Sequence, residues 1–582
     1  MLDPYRMVVV NIILSFIVLM GIFIYRFIYP KKKINLLILL IIISLLPLFS
    51  MLRAGTYQSG DLSLHAIRTM SFSQILFQEH IIPRWTPEFY AGFGDPYFSF
   101  AYFLPYLLGS IFHFMGLSFL ASLKLLMAIS FVLSGVFMYL FVKDDLGEKA
   151  AFTAGIFYLF APFHLVNMHF QVTIAMTLSY MFLPINLLLT KKIILNPKPK
   201  WLISFSISEI LFILTHQVIS LIFLPINILY ALYLVKDKNQ KVNKLLKFFT
   251  SLFFGLLLSA FYWLPILIES KYTQDALGKH DILFPSLIDL MYSPWRYGLL
   301  FQGPMGELSY IIGYTQIFVI ILSLYLFFKK RFDKKTKNLF LFFIFITTIL
   351  LFFILPISKP LWYTLPLLKE IQFSTRLLVP LSFSIAVLAG ITVITINKKW
   401  YFILLCSLTI FYTILNWGNR TTISTINDDV LTRQFVIWPS LKTVGLEPAS
   451  PIWANLNKNI SNISRTQDAE LLSGEADIKN TFRSSTRHEY VIDVNSDFAR
   501  IRENTLYFPG WILKVNNNQS TFDYQSQDNM GIITFILNKG INKVELLFVD
   551  TPVRKIANFI SFITAISLFT YFIKKLYLKK LS

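Results

Sequence analysis

A chain of 582 residues that is 55% hydrophobic, 16% aromatic and only 15% charged, with mean hydropathy +0.60, is no soluble globular domain, since such domains are nearer a quarter charged. Its formal net charge of +21 is no sign of nucleic-acid binding, because the cations stand in short runs between apolar segments, as in the cytoplasmic loops of polytopic membrane proteins. The single cysteine, Cys406, lies inside an apolar run and excludes a disulfide framework within the chain.

The expected fold class is therefore an α-helical polytopic membrane protein. Segment 7–28 is too long for a cleavable signal and lacks a small-residue cleavage site, so it reads as a span. Further spans are expected at 34–52, 119–142, 150–167, 171–190, 201–215, 217–235, 247–268, 309–328, 338–356, 376–396, 400–416 and 555–573, which makes about thirteen where about 20 residues suffice to cross. Residues 97–117 are also apolar, but Pro105, Gly109 and His113 interrupt them, and a crossing there would break the alternation of basic loops. They read as a helix on or dipping into the outer leaflet. The regions 53–118, 269–308, 357–375 and 417–554 then fall outside, with the N-terminus outside and the C-terminus cytoplasmic in a cell membrane.

The first outer loop opens with "GTYQSGDLSLHAIR", 55–68. Asp61, His65 and Arg68 stand at i, i+4 and i+7, on one face of a helix. A carboxylate at the end of a span suits a general base for an acceptor hydroxyl, or a ligand of a divalent cation such as Mg or Mn. His65 and Arg68 suit phosphate binding or tuning of that carboxylate. A solvated interfacial loop is the plain alternative, and it weakens as Glu79, Arg84 and Asp95 follow in the same loop. His164, His169 and His216 are expected at the same membrane face; His164 and His169 are five apart, off the helical spacing, and without an acidic neighbour in sequence, which disfavours zinc. Arg296 in "SPWRYG", with Gln372 and Arg376 in "LLKEIQFSTR", adds guanidinium forks that match phosphate, snorkelling to headgroups being their ordinary use.

From 417 onward Lys, Asn, Asp, Ser and Thr become common, and 485–550 alternates as strands do, with turn signals at "NN" and "NKG". The expected organisation is a transmembrane core over 1–416, an external β-rich, sandwich-like domain over 417–554, and a last span with a basic tail over 555–582.

Three blocks resemble a known family. "GDLSLHAIRTMSFSQILFQEHIIPRWTPEFYAGFGDPYFSFAYFLPYLLG" (60–109), "LWYTLPLLKEIQFSTRLL" (361–378) and "YFPGWILKVNN" with "GIITFILNKGINKVELLFVDTPVR" (507–517, 531–554) resemble the bacterial 6-pyruvoyl-tetrahydropterin-synthase-related and YfhO-type membrane proteins. Where a Gln-Phe-Pro-Trp-Arg run is usual, Gln372, Phe373 and Arg376 match while Ser374 and Thr375 depart. These families look like members of the GT-C class of glycosyltransferases. That resemblance implies a multi-span core, a large first external loop with a surface helix, and transfer of sugar from a polyprenyl-phosphate donor to a glycan, lipid or protein acceptor. Asp61 matches the class's acidic base by position; the extra span 7–28, and the lack of an adjacent acidic pair for which Glu79, Glu88 or Asp95 would have to serve, are departures. The resulting expectation is an inverting membrane glycosyltransferase, with Asp61 as base and Arg68, Arg84, Arg296 and Arg376 around the leaving phosphate. A transporter or flippase of lipid-linked glycans would need mid-span charge, of which Glu209 is the main instance. A non-catalytic envelope scaffold is the third reading.

Overall fold

The computed structural model describes residues 6–78, 81–236, 238–274, 282–437, 449–454, 468–526 and 530–581. Every expected span is helical. Among the described residues eight helices are long and apolar enough to cross a membrane, or nine when the bent pair Lys241–Leu258 and Ala260–Tyr272 counts as one span. Helices Leu36–Leu52 and Tyr314–Phe328 are apolar but shorter.

The helix Phe119–Leu159 is two helices joined at Gly147, whose φ of 79° no residue with a β-carbon adopts easily. The two halves fold back on one another. A β-carbon added at Gly135 would meet Leu159 at 2.7 Å, whereas 24 residues along one straight helix lie about 36 Å apart. Ion pairs gather at this turn: Lys191 with Asp145 (2.6 Å), Lys192 with Asp144 (2.8 Å) and Lys335 with Asp145 (3.5 Å). The loops expected to share one face of the membrane therefore share one end of the bundle.

Segment 97–117 forms two short helices, Tyr97–Phe100 and Phe103–Phe114. Twelve residues reach about 18 Å, well short of the roughly 30 Å hydrocarbon core. Tyr106 is nonetheless buried against Phe72 and Phe98, so this element packs on the helix Leu62–Gln78.

The C-terminal region forms one hydrogen-bonded antiparallel sheet. A small pair, β1 (Thr56–Tyr57) with β2 (Thr422–Ile423), precedes it in the chain. The sheet itself has β3 (Ala469–Ser473), β4 (Ala476–Arg483), β5 (Arg487–Leu506), β6 (Trp511–Val515), β7 (Asn518–Ser520) and β8 (Ile532–Phe548). Its order is β3-β5-β8-β6-β7, with β4 also on β5. The long strands β5 and β8 pair along their length, with a register shift between Val494 and Phe498. Tyr490, Ile492 and Val494 are buried before that shift, and Ala499 and Ile501 after it. The bulge thus changes the parity of the inward positions and keeps both halves of β5 facing the core. Residues 417–437 are not part of this sheet. They supply β2 and the helix Asp428–Ile437, where Asp428 Oδ2 accepts from the Phe119 amide at 2.8 Å.

The sheet's core is completed by the first loop. Trp85 and Phe93 are buried within it; Trp85 lies edge-on to Trp511 and 5.3 Å from Phe548, and the Leu506 amide donates to Phe93 O at 2.7 Å. Beside this contact Arg554 donates to Glu269 at 2.8 and 2.9 Å and to Pro509 O at 3.0 Å, both charged side chains being buried. The pair ties the end of one bundle helix to the last helix and to the sheet.

Removing a fully buried aromatic costs about 3–5 kcal/mol. Trp85→Ala is expected to lower the thermal midpoint of the detergent-solubilised protein and to expose 468–526 to limited proteolysis before the bundle melts. A sheet that stays as protease-resistant as in the wild type would show that this docking is not structural.

Candidate functional site

The chain reaches Asp61 through Gly60, at φ 84°, where an added β-carbon would sit 2.2 Å from Phe170 O. Only glycine fits that approach. The Asp61 amide then donates to Gln171 O at 3.0 Å, and its carbonyl accepts from His65 N at 2.8 Å as the helix Leu62–Gln78 begins. Asp61 is exposed and lines a cavity of about 1060 Å³.

His65, Arg68, His216, Gln372 and Arg376 line the same cavity. His65 is buried and shares a 3.0 Å hydrogen bond between Nδ1 and the Tyr106 hydroxyl. Burial, with the Arg68 charge beside it, pushes its imidazole down to about 3, so it is neutral at physiological pH and carries no charge to a phosphate. The Tyr106 hydroxyl meets that of Tyr97 at 3.2 Å, and the Arg68 guanidinium lies 4.4 Å over the Tyr97 ring. Arg376 donates to Ile371 O at 2.9 Å and packs 5.2 Å over Phe373. Gln372 holds a left-handed backbone, φ 62°. His216 breaks the chain between the helices Pro199–Thr215 and Gln217–Val235 and caps the second. Next to it, Tyr262 OH donates within reach of Gln217 Oε1 (2.9 Å) and Ala101 O (3.0 Å), joining three elements of the wall.

Polar and apolar groups share the lining: Ile213, Leu221, Leu224, Leu256, Trp263 and Leu267 contribute apolar surface from the helices between 199 and 269, which also carry Glu209, His216 and Gln217. A charged head and a long apolar tail fit such a lining.

The remaining expected residues stand elsewhere. Arg84 does not line the cavity; it is buried against Phe261 O (3.1 Å) and Asp550 (3.5 Å), where burial and the nearby Arg554 charge bring its guanidinium down to about 10. Asp95 is buried and accepts from Ser450 Oγ at 2.6 Å while its backbone pairs with Thr86. His164 stacks on Tyr180 at 3.7 Å, and His169 Nδ1 lies 3.4 Å from Ser50 Oγ, both fully buried in the bundle. Arg296 is exposed and outside the cavity wall. Glu79 lies outside the described residues. For Arg84, Asp95, His164 and His169, nearness in sequence to the membrane surface suggested the site, whereas packing on the sheet or in the bundle buried the side chain.

The cavity also takes in Tyr97, Gln171, Thr173, Glu209, Gln217 and Glu370, which were not expected there as site residues. Glu209 had one signal, a carboxylate within an apolar helix; it is buried and accepts from Asn186 Nδ2 at 2.8 Å. Gln171 and Thr173 had none, because they reach Asp61 only through the fold. No three His, Cys, Asp or Glu side chains come together in a metal-binding arrangement among the described residues.

These features define a multi-pass helical membrane protein with a C-terminal antiparallel sheet and a cavity lined by both polar and apolar side chains. The chain belongs to the family described as 6-pyruvoyl-tetrahydropterin synthase related domain, a membrane protein family, which it matches over residues 100–427. A relative described as an uncharacterized protein from Lactococcus lactis subsp. cremoris (strain MG1363) is 24% identical over 251 residues, 42% of this chain and 41% of that protein. The chain thus aligns with less than half the length of that curated relative. Among solved structures, arabinofuranosyltransferase AftD from Mycobacteria is similar with TM-score 0.40 and 14% identity, over 67% of this chain and 27% of that one. Archaeal oligosaccharyltransferase AglB from Archaeoglobus fulgidus, solved with an inhibitory peptide and a dolichol-phosphate, is similar with TM-score 0.39 and 14% identity, over 71% of this chain and 59% of that one.

Because His65 is held neutral when folded but titrates near 6.5 when unfolded, its contribution to stability is present above about pH 6.5 and is lost as pH falls through that value toward 3. The loss between pH 6.5 and pH 5 is about 2 kcal/mol. His65→Gln, which keeps a hydrogen-bonding group beside Tyr106, is expected to flatten the fall in melting temperature over that interval. An identical pH slope in the variant would refute the buried neutral imidazole.

Proposed function

We propose that the protein is a membrane glycosyltransferase that moves a sugar from a polyprenyl-phosphate donor to an acceptor on the outer face of the cell membrane. The observation that carries this reading is the sharing of one cavity by an exposed carboxylate, Asp61, two guanidinium groups, Arg68 and Arg376, and apolar surface. The apolar surface suits the prenyl tail. The guanidinium forks suit the phosphate, whose negative charge grows as the bond to the sugar breaks. The acceptor hydroxyl attacks the anomeric carbon from the side opposite the phosphate. The new C–O bond forms as the bond from that carbon to the phosphate oxygen breaks, the acceptor proton passes to Asp61, and polyprenyl phosphate leaves with configuration inverted. Neutral His65 and Tyr106 orient the helix that carries Asp61 and Arg68 and take no proton in this scheme.

The test is transfer of labelled sugar from a synthetic polyprenyl-phosphate donor by the full chain in proteoliposomes. Asp61→Asn is expected to reduce transfer by about 100-fold or more, the usual worth of a general base, while donor binding persists. Undiminished transfer by a folded Asp61→Asn protein sinks the assignment. One observation favours a second reading: Glu209, buried among the helices yet lining the same cavity, is the kind of group that translocation uses. Movement of the labelled lipid across the bilayer without transfer would decide for a flippase.

A further inference from the structure

A second, smaller hollow of about 260 Å³ adjoins the main cavity and shares Leu283, Tyr310 and Thr375 with its wall. Thr375 borders both spaces, and the next residue in the chain, Arg376, lines the main cavity. The rest of the small hollow comes from the ordered loop between Leu283 and Tyr310, including Tyr292, Trp295, Asp289 and Ser309. We propose that this hollow is the acceptor subsite and that it holds one ring of a neutral glycan, so that the acceptor is a saccharide chain and not a polypeptide or a bare lipid. The inference rests on the transferase reading for its place in the reaction, but not for the binding itself.

Three observations carry it. The lining is aromatic and polar at once: Tyr292, Trp295 and Tyr310 all border the hollow, and aromatic rings suit the C–H side of a sugar ring, a large amphipathic surface at small entropic cost. Ser309 is 5% exposed, and its hydroxyl has no hydrogen-bond partner among the described residues. Buried hydroxyls are normally satisfied; this one is closed off from solvent, and rotation of the serine side chain toward the hollow would bring it to a sugar hydroxyl. Asp289 is exposed and lines the hollow; its Oδ2 accepts from the Ser286 amide at 2.8 Å. A carboxylate at that place welcomes hydroxyl donors and repels phosphate- or carboxylate-bearing chains.

The loop is built to hold this shape. Arg296 and Tyr297 take φ of 46° and 55°, followed by Gly298 at 84°, a left-handed run that costs energy at each non-glycine residue. The Gly298 amide donates to Trp295 O at 3.1 Å, Tyr314 OH donates to Gly298 O at 2.6 Å, and the Ile312 amide donates to Leu290 O at 2.8 Å. Trp295 itself lies against Gly303, where a β-carbon would come within 2.6 Å of its ring. The indole is therefore fixed before any sugar arrives.

The experiment is calorimetric titration of the detergent-solubilised full chain with maltotriose, mannotriose and galactotriose, and with a glycerol-phosphate trimer as the anionic comparison, no donor being present. At least one neutral trisaccharide is expected to bind. Trp295→Ala should weaken it about tenfold or more, and Ser309→Ala about threefold to tenfold, as for one hydrogen bond, at unchanged melting temperature. Ser309→Ala removes a single oxygen and keeps the test alive if the tryptophan variant misfolds. Failure of all three trisaccharides to bind, equal binding by Ser309→Ala, or preference for the phosphate trimer overturns the proposal. Trisaccharide binding without any transfer from a polyprenyl donor would leave this subsite standing and remove the transferase reading; transfer without trisaccharide binding would do the reverse.

Discussion

The arrangement depends on one loop being anchored twice. Residues 53–118 leave the bundle, pair with 422–423 through β1, begin a helix at Asp61, bury Trp85 and Phe93 in the sheet, and return through the short helices Tyr97–Phe100 and Phe103–Phe114. A loop of that length, left free, would present its carboxylate to water in many directions. Here the sheet takes one half of the loop as part of its own core, and the bundle takes the other. The Lys124 ammonium adds a clamp, donating to Arg53 O and Gly55 O at 2.7 Å each. Loss of any of these anchors would cost order at Asp61 before it cost the fold of the bundle, because the helices have their own buried interfaces.

The guanidinium groups of the cavity are positioned by contacts other than charge alone. Arg68 lies over Tyr97, and Arg376 over Phe373 and against a backbone carbonyl. A flat guanidinium stacked on a ring and hydrogen-bonded to backbone keeps a fixed orientation in which its fork can meet an anion. Away from the cavity Arg554, bonded to Glu269 at 2.8 Å, and Arg84, 3.5 Å from Asp550, serve as ties between the bundle, the last helix and the sheet.

How much of this was legible in the sequence follows from the range of the physics involved. Helices announce themselves by apolar length, and each expected span is helical. The strands of 485–550 announce themselves by alternation, and they are present, although alternation alone could not tell one bent sheet from two, since the parity change at Val494–Phe498 is a local bulge. Asp61, His65 and Arg68 stood together because i, i+4 and i+7 is a local relation. Gln372 and Arg376 reached the same cavity from a distant loop, whereas Arg84, Asp95 and Arg296 did not, although they looked equally eligible. What separated them was tertiary packing: Trp85, one residue from Arg84, carried its neighbourhood into the sheet. No periodicity encodes that.

Strained backbone stands beside charge in the cavity wall. Val172, at φ 58°, sits between Gln171 and Thr173, both of which line the cavity. A β-branched residue in that conformation is a true outlier. Gln372 at 62° lines the opposite stretch, and Gly60 at 84° precedes Asp61. Such residues persist only where surrounding contacts over-determine them, at a cost of about 1–3 kcal/mol each. Here the contacts are the Asp61–Gln171 backbone bond, the close passage of Gly60 by Phe170 O, and the Arg376 bond back to Ile371. The turns that aim Asp61 and Arg376 are thus the ones the fold strains to hold, and the Arg296–Tyr297 turn beside the smaller hollow is held in the same way.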